Sequence, residues 1–318
     1  MAGQEVGRFL AQRVASGALV IVFVSALTFF FVNLAPGGPA SVMRFDVTAE
    51  QRDALIHEMG LDRPVVERYA DWLGGALRGD LGTSLLTNEP VAQRIADRLP
   101  NTLLLAGAAL LLSIVVGIPM GVLQAVRRNS WLDHALTALS ALGLSVPVFW
   151  LGIVLILLFA VTWHVLPSAG IASVGKDSLG DRLAHLVLPA SVLASTVLPT
   201  VVRFTRSSMV DVLVQDYLRT ATSKGLAPAA VVFGHGLRNA LIPVTSAIGA
   251  LAPRLLGGTV VTEAVFSWPG MGRLALEAAN GRDYPLVVGV AVVVAAIAVV
   301  SSLIVDLVVA RLDPRVVG

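Results

Sequence analysis

Five stretches of this chain run for at least 17 positions without a charged residue: 15–34, 101–126, 135–163, 186–202 and 286–305. A sixth, 240–262, is interrupted only by Arg254. Crossing the hydrocarbon core of a bilayer takes about 20 predominantly apolar residues in a helix. Lipid offers no water to bond free amide groups, so runs this long must close their own hydrogen bonds as α-helices. The expectation is an all-α polytopic membrane protein with six transmembrane helices. Composition points the same way, with 56% hydrophobic and 14% charged residues among 318, against about 25% charged in a soluble domain. The fourth run is the shortest and holds Pro189 and Pro199, so its ends are the least defined. The first run has 20 uncharged residues, against roughly 7–15 in a signal-peptide core, and reads as a retained span.

Charge sets the orientation. Short connections on one side carry Arg8, Arg13, Arg127, Arg128, Arg203, Arg206, Arg219, Lys224, Arg238, Arg311 and Arg315. Those on the other side carry only Lys176, Arg182, Arg273 and Arg282. By the positive-inside rule both termini face the cytoplasm. Residues 35–100 then lie outside the cell. They are too polar for membrane, and 48–59 and 65–77 read as short amphipathic helices. Their apolar positions Leu55, Ile56, Val65, Tyr69 and Trp72 need a surface to bury against. The sequence pI near 9.4 accompanies a net charge of only +2, and its 21 Arg and two Lys lie largely beside the runs, which is no nucleic-acid footprint.

Between the fourth run and 240–262 lies a polar insert. Residues 207–223 contain no Gly or Pro and read as one helix, with Gly225 placed to end it in a left-handed cap. Pro228 suits the first turn of a second short helix, because its missing N–H would be unpaired there anyway. Two short helices at an angle form a knob that fits a groove on a partner. The spacing Arg219-Thr220-Ala221, then Gly225, resembles the EAA-type coupling loop of ABC importer permeases. The longer match, Asp216-Tyr217-Leu218-Arg219-Thr220-Ala221, Lys224-Gly225-Leu226 and His235-Gly236-Leu237-Arg238-Asn239-Ala240-Leu241-Ile242-Pro243, resembles the dipeptide/oligopeptide/nickel permease family. Ser145-Val146-Pro147-Val148-Phe149-Trp150, Glu263 through Gly272, Arg282-Asp283-Tyr284-Pro285 and Asp313-Pro314-Arg315 are similar to further blocks of that family. Two departures stand out: Gly38 replaces a usual Asp, and Thr222-Ser223 replaces a more basic pair.

The resemblance implies a type I ABC importer permease fold in a bacterial or archaeal cell membrane. On that basis residues 1–34 are the cytoplasmic N-terminus and first helix, 35–100 an extracytoplasmic module, and 101–318 a five-helix core with coupling helices at 207–239. It further implies a second, homologous permease subunit, two ATP-binding subunits and an extracytoplasmic solute-binding protein, with ATP and Mg held by the partners. Asp211, Tyr217, Arg219, Thr220, Ala221, Lys224, Gly225, Leu226, His235, Arg238 and Asn239 become candidate ATPase-coupling residues. Pro147, Trp150 and Arg254 become candidates for the translocation path. Arg254 lies nine residues before Glu263, about 13 Å into the span, and an ionisable group at such depth usually faces an interior cavity; the alternatives are snorkelling or neutralisation by a partner's acid. Phe266, Trp268, Pro269 and Gly270 become a candidate external gate.

Other chemistries lack their residues. There is no Cys for disulfides or thiol catalysis. His57, His134, His164, His185 and His235 show no metal-ligand spacing, and no P-loop or nucleophile-elbow motif is present. A secondary transporter would show acidic or His relays within spans and inverted repeats, and the runs show neither. Short peptides are the first expectation for the solute, with nickel or another chelated metal, glutathione and sugars as alternatives.

Overall fold

The computed structural model describes residues 2–34, 57, 62–176 and 178–312, with the side chains at 2–7, 9–10, 252, 254, 256 and 308–312 outside that description. The expected helix at 48–59 therefore lies almost wholly outside the described residues, with Leu55, Ile56 and Gly38. Apart from one isolated bridge between Thr83 and Pro90, regular structure among the described residues is helical. In chain order the helices are α1 (Ala2–Leu34), α2 (Val65–Ala76), α3 (Val91–Val126), α4 (Trp131–Ser145), α5 (Val148–Leu155), α6 (Leu179–Ser195), α7 (Leu198–Leu213), α8 (Asp216–Ser223), α9 (Leu237–Val265), α10 (Met271–Asn280) and α11 (Tyr284–Leu312). Wider π-type turns extend α5 through Ile156–Thr162 and precede α9 at Ala230–Gly236.

All six apolar runs are helical, but not all are single rods. α1, α3 and α11 are each long and apolar enough to cross a membrane alone. α9 has 29 residues, a length of about 43 Å. The run 135–163, expected as one span, instead bends by 104° between α4 and α5. Pro147 explains the break. A residue before proline is pushed out of the helical region, and Val146 sits extended at φ −85°, ψ 126°. The run 186–202 is likewise broken by 56° between α6 and α7, with Pro199 in the first turn of α7. Pro189, by contrast, is carried inside α6.

The described residues form two compact units: one of Leu103–Trp268 with the first turn of α1 and the end of α11, the other of the rest of α1, the described residues up to Thr102, and Pro269–Val299. In the first, α3 and α7 approach at backbone distance. A Cβ on Gly121 would lie 2.6 Å from Thr205 Cβ and 2.7 Å from the Val202 carbonyl oxygen, and one on Gly117 would lie 3.0 Å from Val201 Cγ1. The spacing Gly117-x-x-x-Gly121 thus places two small residues on the face that meets α7, as close helix pairs in membranes require. Below this crossing Val122, Ala125, Met209 and Ala240 form a buried cluster.

In the second unit Val91 and Ile95 pack with Met271, Leu274 and Ala278 of α10 and with Leu286 and Val290 of α11. α10 begins at Gly270, which has no side chain to cap it, and Thr102 Oγ1 accepts from Met271 N at 2.7 Å instead. Asp283 is fully buried and accepts from the Ser84 hydroxyl and from Leu85 N, fixing the loop before α3 to the start of α11. The expected helix at 65–77 is α2. Its aromatic face finds a surface on α1: Tyr69 and Trp72 meet Phe29, the Tyr69 and Ser25 hydroxyls lie 2.8 Å apart, and Arg68 donates to Asn33 at 2.9 Å.

Gly121→Val tests the α3–α7 crossing. The added side chain meets a Cβ and a carbonyl rather than a yielding side-chain tip, so the cost is on the order of 1–3 kcal/mol. A Tm lower than that of the parent protein is expected in detergent, and an unchanged Tm would show the crossing to be loose.

Candidate functional site

The polar insert is not the pair of short helices its sequence indicates. α7 carries on beyond the apolar run as far as Leu213, the chain turns at extended Gln215 (φ −73°, ψ 144°), and only then does α8 begin. Neither Gly nor Pro marks this break, and burial accounts for it. Leu218 follows Met209 by nine residues, so on one continuous helix the two would point in directions about 180° apart. The turn lets Leu218 and Ala221 fold back, with Val231, against Val212 and Leu213. Gly236 fits beside Met209 Cε and Leu218 Cδ1, and Ser208 donates to the Ala240 carbonyl at 2.9 Å. The end of α7, α8 and the start of α9 thereby share one small core.

α8 ends at Lys224–Gly225, where Gly225 has φ +80°. Nothing lies within 4 Å of where its Cβ would be, so the demand for glycine comes from the backbone and not from space. Pro228 opens the following helical stretch. Ten of the eleven residues proposed for coupling, all but Ala221, are exposed. Ala221 belongs instead to the buried side of the hairpin, at 9% exposure. Asn239 donates to the Tyr217 hydroxyl at 2.8 Å, and Arg219 lies 3.4 Å from Asp216. Besides Tyr217 and Leu226, Val214 and Phe233 expose large apolar side chains on the same segment. Sequence reasoning passed over these two, because the insert also holds Val210, Val212, Leu218, Val231 and Val232, and the pattern alone does not tell the exposed from the buried.

Just beyond the C-terminal end of α9, Phe266 and Trp268 are almost wholly buried, and Gly170 N donates to the Phe266 carbonyl at 2.9 Å. Phe266 packs with Leu188, Val192 and the α5 residues Val148, Leu151 and Leu155. It lies so close to Gly152 that a Cβ there would be 3.3 Å from its ring. The helix that starts after Pro147 and carries Trp150 is thus the one against which Phe266 rests. Trp150 itself is half exposed. Pro269 accepts from Asn101 at 2.8 Å and Gly270 caps α10. Arg254 falls within α9, and its side chain is outside the described residues. Among the described residues no cluster of His, Asp and Glu has the make-up of a metal site.

Membrane-crossing helices, two of the runs broken at prolines, and a folded polar hairpin at the end of a span define a transport permease. The chain belongs to the family of binding-protein-dependent transport system inner membrane components, which matches residues 117–318, and the N-terminal part of such membrane components matches residues 6–106. The oligopeptide transport system permease protein AppB of Bacillus subtilis is 39% identical over 311 residues, covering 97% of this chain and 98% of that protein. The dipeptide transport system permease protein DppB of Escherichia coli K12 is 38% identical over 333 residues, with the same coverage. The fold is that of the inward-facing MetNI methionine ABC transporter, at TM-score 0.58 and 19% identity over 70% of this chain and 97% of that one. The chain is therefore a multi-pass protein of the cell membrane and the membrane component of an ABC importer, working with an ATPase and a binding protein. It is not an enzyme, as ATP hydrolysis belongs to partner subunits.

Gly225→Val forces a β-branched residue into left-handed backbone and should cost about 1–2 kcal/mol at the hairpin tip. Gly225→Asn, which tolerates that conformation, should cost clearly less. Amide exchange of 216–226 in the two variants separates them, and equal protection in both would remove the backbone argument.

Proposed function

We propose that this permease imports di- or oligopeptides. It would form half of a pore with a second, homologous permease and seat its hairpin in one of two ATP-binding subunits. The observation that carries the solute class is near full-length similarity to relatives described as oligopeptide and dipeptide permeases. For the docking surface, support comes from the exposed apolar group Val214, Tyr217, Leu226 and Phe233 beside Arg219, Lys224 and Arg238. Exposed aromatic and aliphatic side chains together with arginines on one segment suit a protein–protein contact. A cytoplasmic hairpin and cytoplasmic termini are supported by the arginines that crowd the connections on the hairpin's side of the apolar runs.

Proteoliposomes holding this chain, the permease, ATPases and binding protein encoded beside it should take up radiolabelled trialanine only when ATP is present. Uptake without ATP, or uptake of a nickel chelate with no peptide uptake, would overturn the reading. Truncating Tyr217 and Leu226 together to alanine should weaken ATPase capture by tenfold or more, at about 1–2 kcal/mol for each buried anchor. Undiminished capture would move the docking surface elsewhere.

Arg254 is assigned to the translocation path, because it is the lone charge within its apolar run. Arg254→Ala should slow import of trialanine more than import of its C-terminal amide, with assembly intact. Equal slowing of both would show that Arg254 does not meet a carboxylate.

A further inference from the structure

One ion pair ties two helices of the core unit together. Arg206 on α7 donates from Nε to Asp133 Oδ1 at 2.8 Å and from its terminal nitrogen to Oδ2 at 2.7 Å. Asp133, in the first turn of α4, is 2% exposed and also accepts from Asn129 N at 3.0 Å. Arg94 stands farther from Asp283, at 3.8 Å, and the pairs Arg63–Asp71, Arg219–Asp216 and Arg273–Glu277 are more exposed. Arg206 sits one turn before Met209, the residue on which the hairpin folds. On its other side Asp133 begins the helix that ends at the 104° bend before Pro147. Beside the pair, α7 is held against α3, where a Cβ on Gly121 would lie 2.6 Å from Thr205 Cβ and 3.0 Å from the Arg206 amide nitrogen.

We infer that the Asp133–Arg206 pair is the positioning element that passes movement of the hairpin into α4 and so to the bend at Val146–Pro147. The inference rests on reading 207–239 as the ATPase-docking surface. Its physical content is the difference between an apolar contact and a forked pair. Apolar side chains slide past one another at little cost, whereas two parallel N–H···O bonds fix both the distance and the rotation of the guanidinium against the carboxylate. A buried carboxylate deprived of its partner is left uncompensated, so α4 has to follow Arg206 when α7 shifts. The pair touches neither the exposed coupling residues nor the residues assigned to the path; its part is to link them.

The test uses the whole transporter in proteoliposomes, with trialanine as solute and two readouts, ATP hydrolysed and peptide imported. Asp133→Asn keeps the shape and removes the charge. It should leave ATPase capture and basal hydrolysis within twofold of the parent complex, while peptide imported per ATP falls at least fivefold. A ratio within twofold of the parent would overturn the inference. The chain has no cysteine, so Asp133→Cys with Arg206→Cys supplies a single thiol pair for a short bifunctional linker in complexes whose partners lack reactive thiols. Linking should restore the ratio that the unlinked variant has lost. If linking restores nothing, or if both variants lose ATPase capture in parallel with import, the pair serves folding alone and the inference is wrong. A parent complex that captures no ATPase would instead strike the docking reading, and the pair's role with it.

Discussion

Every feature of this permease answers to one constraint: backbone amides inside hydrocarbon must find partners within the chain. Regular helix satisfies that demand residue by residue, which is why all six apolar runs are helical. Each proline in a run removes one donor, and the structure deals with the loss in different ways. Pro189 stays within α6, where seven residues of the helix are buried and neighbours surround the gap. Pro147 and Pro199 are placed at helix starts, where their missing N–H would have no intrahelical acceptor anyway. A bend in a span is thus a way of keeping the backbone satisfied, and it yields a joint between two stiff segments as a by-product.

Stiffness on either side of those joints comes from how closely the helices pack. Gly117 and Gly121 bring α3 to backbone distance from α7, and Gly143 brings α4 to within contact of the Ser195 carbonyl, where an added Cβ would stand 3.1 Å away. Close packing in lipid gains dispersion contacts over a long interface, since hydrophobic burial gives little advantage there. The result is that α7 has no room to rotate by itself. It ends in a hairpin whose own core, Leu218, Ala221 and Val231, is small and is shared with Met209 of α7 and Gly236 before α9. Force applied to the exposed face of α8 is therefore borne by α7 rather than spent in a loop.

Much of this was legible in the sequence, and the failures have physical reasons. Uncharged runs report spans directly, because a charge in hydrocarbon is costly. Gly225 was legible because a helix that ends in left-handed backbone asks for glycine, and its φ is +80°. The division of 207–223 into two helices was not. Its cause is the opposition of Met209 and Leu218 about a helix axis, which matters only once both are known to face one core. Ala221 shows the same limit: its motif position pointed to the partner, and its side chain points to Val231. The 104° bend carried a signal, Pro147, but proline inside a membrane run is compatible with a mild kink as well as with a sharp turn. The Asp133–Arg206 pair joins residues 73 apart in sequence, and no local pattern announces a contact of that kind.

The placement of polar groups separates two tasks that a transporter must keep apart. On the hairpin, Arg219, Lys224 and Arg238 stand in the open, where a charge costs little to expose and, under the proposed docking, would give orientation and rate more than raw affinity. Within the packed helices several polar groups have internal partners: Ser113 donates to the Ala109 carbonyl, Gln124 Nε2 to Thr137, and Asp133 accepts from Arg206. The first set can exchange one protein surface for another without disturbing the fold. The second set cannot be released without leaving buried groups unpaired, which makes it rigid. A segment that docks a partner must be replaceable at its surface and unyielding at its root. Here the two meet near Met209, with the exposed Arg219, Lys224 and Arg238 after it and the Asp133–Arg206 pair one turn before it.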